Sequence, residues 1–253
     1  NLECLNYTNL FLLTGAGLIA GFINVVAGGG SLITLPLLIF MGLPSTVANA
    51  TNRVAIFSQN IFAVAGFQSK GVSAFPYSFY IAISALLGAA IGAKMSVTLD
   101  DALFNRIIAV VMIVVLMLTL FTPTRLSHSS QEKTDPKSTV LGVLVFFFIG
   151  IYGGFIQAGI GFVMIATLTQ LNKFGLVKTN SAKVFVALIY TSAALVVFVI
   201  EDVIDWPHGL ALALGNSIGG WIASRWSVKK GDKWIKRFLI VAVSAMAIKL
   251  WFF

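Results

Sequence analysis

The chain has 253 residues, 58% of them hydrophobic and only 10% charged, with a mean hydropathy of +0.95. A soluble domain carries about 25% charged residues, so a water-soluble fold is excluded and an all-α polytopic membrane protein is expected. The net charge of +8 collects in short loops with no aromatic-interleaved basic patch, which fits the positive-inside rule and excludes nucleic acid as a partner.

Ten apolar segments follow one another, at 8–27, 31–41, 45–67, 76–97, 102–121, 138–158, 162–172, 177–200, 207–226 and 233–252. Most are near the length that spans a bilayer. Ser31–Met41 and Phe162–Asn172 are short, covering about 16 Å of helix, roughly half the hydrocarbon thickness. Each follows a glycine-rich break, Gly28-Gly29-Gly30 in the first half and Gly159-Ile160-Gly161 in the second. The lone Cys4 excludes an internal disulfide and a cysteine-based metal site. No basic stretch precedes Leu10–Ala27, so no cleavable signal is expected there.

The two halves repeat each other. Gly21-Phe22-Ile23-Asn24 matches Gly154-Phe155-Ile156-Gln157, Arg53 matches Lys183, and Pro76, Gly88, Asp101 and Arg106 match Pro207, Gly219, Asp232 and Arg237. The expected organisation is a first membrane repeat over 1–121, a polar cytoplasmic linker over 122–137 and a second membrane repeat over 138–253. Internal repeats of this kind mark secondary transporters. If all ten segments cross, the halves form a 5+5 inverted repeat with glycine-broken short helices 2 and 7. Twelve of the 17 basic residues then lie inside and three, Lys94, Arg106 and Lys249, outside, the other two being Arg53 and Lys183. If the short segments are re-entrant, eight segments cross and the balance falls to ten against five. The positive-inside rule favours the inverted arrangement.

Arg53 and Lys183 lie inside apolar segments, each after a small polar run: Asn49-Ala50-Thr51-Asn52 and Thr179-Asn180-Ser181-Ala182. A cation at bilayer depth costs at least about 2.5–3.5 kcal/mol and so marks a functional site. All nine acids are in loops or near segment ends, so two cations with no acid at their depth point to an anion. Helical spacing puts Asn49, Asn52, Arg53 and Asn60 on one face, and Lys183, Tyr190 and Thr191 on another. Glycine stripes at Gly17, Gly21 and Gly28 and at Gly150, Gly153 or Gly154, and Gly161 allow close helix packing and carry one amide each, Asn24 and Gln157. Helices restarting after the breaks offer free N–H groups to an anion, from Gly28, Gly29, Gly30, Gly159 and Gly161, with Ser31 as an N-cap and further donor. The expected site is a two-fold pocket near the midplane. Arg53 and Lys183 neutralise the substrate, Arg53 binding two oxygens through its planar fork, while Asn24, Gln157, Thr51, Asn52 and Ser181 donate or shape hydrogen bonds. A competing reading has the two cations capping the carbonyls of the broken helices, with the amides bonded to each other or to freed backbone.

The run from Gly21 to Leu43 with its Gly28-Gly29-Gly30-Ser31-Leu32-Ile33 core, followed by Pro44 and Ala48-Asn49-Ala50-Thr51-Asn52-Arg53, resembles the sulfite exporter TauE/SafE family, also called the toluene-sulfonate uptake permease family. The second copy departs from the family pattern, with Ile160 and Phe162 interrupting the glycine run and Ser181-Ala182-Lys183 replacing the Thr-Asn-Lys form. The resemblance implies a multi-pass carrier of the bacterial inner membrane that moves sulfite, an organosulfonate or a related small anion. No cofactor, metal or catalytic reaction is expected, because no nucleophile–base pair or metal cluster stands out in the sequence. An anion channel and a non-transporting assembly partner are the alternatives.

Overall fold

The computed structural model describes residues 7–121, 132–238 and 241. Among them are nine helices, α1 (Tyr7–Val26), α2 (Ser31–Phe40), α3 (Ser45–Gln68), α4 (Tyr77–Val97), α5 (Asp101–Phe121), α6 (Pro136–Phe155), α7 (Ile160–Leu171), α8 (Leu176–Ile200) and α9 (Trp206–Lys230). A tenth, α10, is described over residues 232–238, and no strand occurs among the described residues. Cys4, His128, most of the expected linker and most of the last apolar segment lie outside the described residues. Helices α1, α4, α6 and α8 each carry an apolar window long enough to cross a bilayer. The short helices α2 and α7, of 10 and 12 residues, lie where the glycine breaks placed them.

Local chemistry sets the boundaries. Asp135 caps α6 by accepting the Ser138 N–H, and Asp205 caps α9 by accepting the His208 N–H; each is followed by proline in the first turn. Helix α6 ends at Phe155, three residues before the apolar segment does, because Ile156 turns extended and Gly159 adopts the left-handed region before α7. Helix α9 runs on to Lys230, since Lys229 and Lys230 suit the negative end of the helix dipole, and stops at Gly231.

Each half packs mainly on the other. Helix α1 lies on α9 and α6 lies on α4, while α3 and α8 each fill the other side of the same partner, α9 and α4. Small residues permit this. Gly17 and Gly21 of α1 abut the backbone at Leu212 and Asn216 of α9, and Gly150 and Gly154 of α6 abut that at Ala85 and Ala89 of α4. The glycine stripes are therefore packing surfaces, and a Cβ at any of these positions would overlap the facing backbone.

Helix directions follow from these contacts. Gly215 and Gly219 of α9 meet Thr14 and Leu18 of α1, and Gly209, Ser217 and Gly220 meet Thr51, Ser58 and Gln59 of α3, so α1, α3 and α9 run parallel. Gly88 and Gly92 of α4 meet Phe147 and Ile151 of α6; Phe75, just before α4, meets Phe185 of α8, and Lys94, near the end of α4, meets Glu201, just beyond α8. Helices α4, α6 and α8 thus form a second parallel set. The sets oppose each other: Arg53, early in α3, lies under the Phe198 ring late in α8, and Ser181, early in α8, donates to the Val72 carbonyl just beyond α3.

Residues 131 positions apart in the two halves also match in their hydrogen bonds. Asp101 accepts the Thr46 N–H at the start of α3, and Asp232 accepts the Val177 N–H at the start of α8. Asp101 is also the first residue of α5, so it ties its own helix start to that of α3, and Asp232 likewise ties the start of α10 to that of α8. The turns closing α3 and α8 also match, with Val72 N–H on the Phe67 carbonyl and Val203 N–H on the Phe198 carbonyl.

Candidate functional site

Arg53 is fully buried, and its guanidinium is committed to protein oxygens. Nη1 donates to the Gly153 carbonyl and, at 2.6 Å, to Gln157 Oε1; Nη2 donates to the Gly154 carbonyl at 3.1 Å and to Asn49 Oδ1 at 3.2 Å. Asn49 Nδ2 in turn donates to the Phe155 carbonyl at 3.0 Å. The last carbonyls of α6, which have no partner within their own helix, are thereby satisfied from α3.

Lys183 does the same for α1. Its Nζ donates to the Asn24 and Val25 carbonyls at 3.0 and 2.8 Å, and Asn180 Nδ2 donates to the Val26 carbonyl at 3.0 Å. In each case an asparagine and a cation from one half cap the broken helix of the other half, where a positive charge also meets the negative end of the dipole. The fork of Arg53 grips two helix carbonyls.

The two ends differ in what remains. A cavity of about 20 Å³, room for about one water, is lined by Asn24, Gln59, Asn60, Gln157, Lys183 and Tyr190, with Gly161 at the start of α7. Lys183 is the one cation among its lining residues, and none of them is acidic. Arg53 does not line it.

Hydrogen bonding gives the cavity its sign. Gln157 Oε1 is taken by Arg53. Gln59 Oε1 accepts from Asn24 Nδ2 at 3.3 Å and Asn216 Nδ2 at 3.4 Å. Both glutamines thus have their acceptor ends occupied by protein donors. Gln59 Nε2, Asn60 Nδ2 and the Tyr190 hydroxyl are buried with no hydrogen-bond partner among the described residues. Leaving a buried donor unmade costs about 1–3 kcal/mol, and three residues that carry such a donor line this one space.

Of the residues singled out from sequence, Asn24, Gln157, Lys183 and Gly161 meet at the cavity. Others have different partners. Thr51 Oγ1 accepts the Asp205 N–H, Asn52 Oδ1 accepts from Thr34 Oγ1, and Ser181 Oγ donates to Val72. Ser31 is not the N-cap of α2; Gly30 occupies that position in a helical conformation, with no side-chain cap, so the helix begins one residue earlier than a serine cap requires. Gly28, at φ +90°, passes against Gly161, and Gly29 and Gly30 are buried beside it; Gly159 supplies the left-handed turn before α7. Gln59 was not singled out from sequence. It lies between Ser58 and Asn60 within the third apolar segment, and the structure buries it at 0% exposure. Asn60 and Tyr190 had been placed on the faces of Arg53 and Lys183 by helical spacing alone.

Comparison with known proteins agrees with the motif resemblance. The family profile described as "Sulfite exporter TauE/SafE" matches residues 13–250. A "Probable membrane transporter protein" of Haemophilus influenzae is 26% identical over 241 residues, covering 95% of this chain and 94% of the relative. "Probable membrane transporter protein ORF9" of a Sinorhizobium species is also 26% identical over 241 residues, covering 95% and 92%. "Probable membrane transporter protein YfcA" of Escherichia coli K12 is 26% identical over 244 residues, covering 95% and 89%. No solved structure matches the chain. With both halves, both glycine breaks and both cationic motifs inside the matched span, the chain belongs to the TauE/SafE sulfite exporter family of transmembrane transporters.

Proposed function

We propose that this protein is a secondary carrier that moves a small sulfur-containing oxyanion, sulfite or an organosulfonate, across the bacterial inner membrane by alternating access. The observation that carries the reading is the cavity beside Lys183, with its single cation, no lining acid and three unpartnered donors from Gln59, Asn60 and Tyr190. Lys183 supplies the charge. Gln59, Asn60, Tyr190 and the free amide end of Gln157 replace the anion's water, and the start of α7 at Gly161 brings the positive end of a helix dipole. Arg53 acts one step back, holding Gln157 by its oxygen so that the amide nitrogen is left for the anion. The sulfur anion is drawn from the family description.

The arrangement we assign is ten crossings in two inverted halves. It is supported by the parallel run of α1, α3 and α9 against α4, α6 and α8, because parallel α1 and α3 require α2 to return across the bilayer between them. A cavity with room for about one water does not admit an ion of sulfur and three oxygens until the halves part. That favours a carrier over an open channel.

The test is sulfite efflux from liposomes containing the purified protein. The carrier reading predicts saturable efflux that is accelerated by sulfite on the opposite side and abolished in Lys183→Gln. Non-saturating flux indifferent to opposing sulfite indicates a channel. No flux of sulfite or short sulfonates rejects transport of this class.

A further inference from the structure

The lining of the cavity is not polar all round. Every side chain that α1, α3 and the α6–α7 break bring to it is an amide, whereas α7 brings Ile160 and Met164. Helix α8 supplies both kinds, with Lys183 and Tyr190 among the polar lining and Ala187 among the apolar. We infer that this division sets specificity: the site takes an anion whose oxygens lie on one side and whose other side is a lone pair or a short alkyl group, rejects tetrahedral tetraoxyanions, and uses Met164 to limit the length of the alkyl group. The inference rests on the function proposed above and narrows its substrate class.

The physical argument is one of matching. A sulfite pyramid turns three oxygens to the donors and its sulfur lone pair to the apolar side. An alkanesulfonate places carbon there. Sulfate has a fourth oxygen, which would lie against Ile160 and Met164 with no donor, and a desolvated, unpaired oxygen is unfavourable in such a place. Met164 is fully buried and packs in the core cluster that also holds Tyr190 and Ile160. Its unbranched thioether has three rotatable bonds, so it is the lining side chain that yields most easily as the space widens. Ala187 faces the same space from α8 and is the smallest side chain there.

Isothermal titration of the purified full chain with sulfite, methanesulfonate, propanesulfonate and sulfate tests this, with thermal unfolding run in parallel to confirm folded protein. The unmodified chain is expected to bind sulfite and methanesulfonate, and sulfate at least about 100-fold more weakly. Met164→Ala raises the preference for propanesulfonate over sulfite by about tenfold and Ala187→Val lowers it by a similar factor. Met164→Gln, which places a donor on the apolar side, narrows the gap between sulfite and sulfate. Equal binding of sulfate and sulfite by the unmodified chain overturns the inference, as does an unchanged propanesulfonate preference in both the Ala and Val variants, or no binding of any of the four anions. Binding in the expected pattern without flux in liposomes rejects the carrier and keeps the specificity. Flux of sulfite and sulfate at equal rates, with equal binding, rejects the specificity and keeps the carrier.

Discussion

Gly28 and Gly161 meet backbone to backbone. A Cβ on Gly28 would fall on the Gly161 backbone, and one on Gly161 would fall on the Gly28 Cα. Their separation in sequence is the same 133 residues that relate Gly21 to Gly154, so the equivalent breaks of the two halves cross at one point. Gly161 also lines the cavity, which places the crossing beside the bound anion in the proposed mechanism.

Substituting Gly161 by valine adds bulk where two backbones touch. Overpacking of a tight core typically costs about 1–3 kcal/mol and occasionally more. Gly161→Val is therefore expected to lower the unfolding midpoint in detergent, and Gly28→Ala to do so as well, because φ at Gly28 is +90° and the added methyl has no space. An unchanged midpoint in both variants would show that the breaks do not cross here.

Arg53 holds three oxygens of the α6 end and its following turn, the Gly153 and Gly154 carbonyls and Gln157 Oε1. Replacing it by leucine leaves these acceptors buried and unpaired. The expected loss is roughly 3–5 kcal/mol. Arg53→Lys recovers only part of it, since an ammonium does not reproduce the fork. Thermal unfolding of the two variants beside the unmodified protein measures the difference.

Asp232 and Asp101 each accept a backbone N–H from the start of a different helix, Val177 at 2.9 Å and Thr46 at 3.2 Å. Loss of a capping carboxylate typically costs about 0.5–2 kcal/mol. Asp232→Ala is expected to fall within that range. Asp101→Ala lies at its lower end, because Asp101 and Thr46 are more open to solvent, where screening weakens the interaction. Unfolding curves for both single variants and the double variant check this, and the two effects should add because the sites serve different helix starts.

The positions of the helices were legible in the sequence because a bilayer demands long apolar runs and the breaks were written in glycine. Helices α1 to α5 begin and end within a residue of the apolar segments. Matched pairs such as Arg53 and Lys183 were legible too, and each member of that pair bonds the carbonyls at a helix end. The cross-over between halves was not. A cation in an apolar helix reads the same whether it faces a ligand or another helix's carbonyls, and Arg53 does the latter in this structure. Gln59 illustrates the same limit: its partners Asn24 and Asn216 lie 35 and 157 residues away, so no local spacing signals it.

At the start of α6, hydrogen bonds from the Ser138 hydroxyl and N–H hold the Asp135 carboxyl below its usual range. A carboxyl whose folded-state pKa is depressed stabilises the fold fully above the ordinary aspartate value of about 3.9, and that contribution is lost as pH falls through the lower folded-state value. Amide exchange at Ser138 and Thr139 is expected to show a loss of protection in that acid window beyond the intrinsic pH dependence of exchange. Asp135→Asn is expected to remove the step.

The central claim is that the buried donors around Lys183 exist for the anion and not for the fold. Asn60 Nδ2 and the Tyr190 hydroxyl have no partner among the described residues, so removing them frees the fold of an unmet hydrogen bond and, in the proposed mechanism, takes a donor from the substrate. The most direct measurement is sulfite flux in liposomes together with the unfolding midpoint, for Asn60→Leu and Tyr190→Phe. The account predicts midpoints equal to or above that of the unmodified protein and flux reduced by about tenfold or more in each, the equivalent of one hydrogen bond to a charged group. Full sulfite flux in both variants would contradict it.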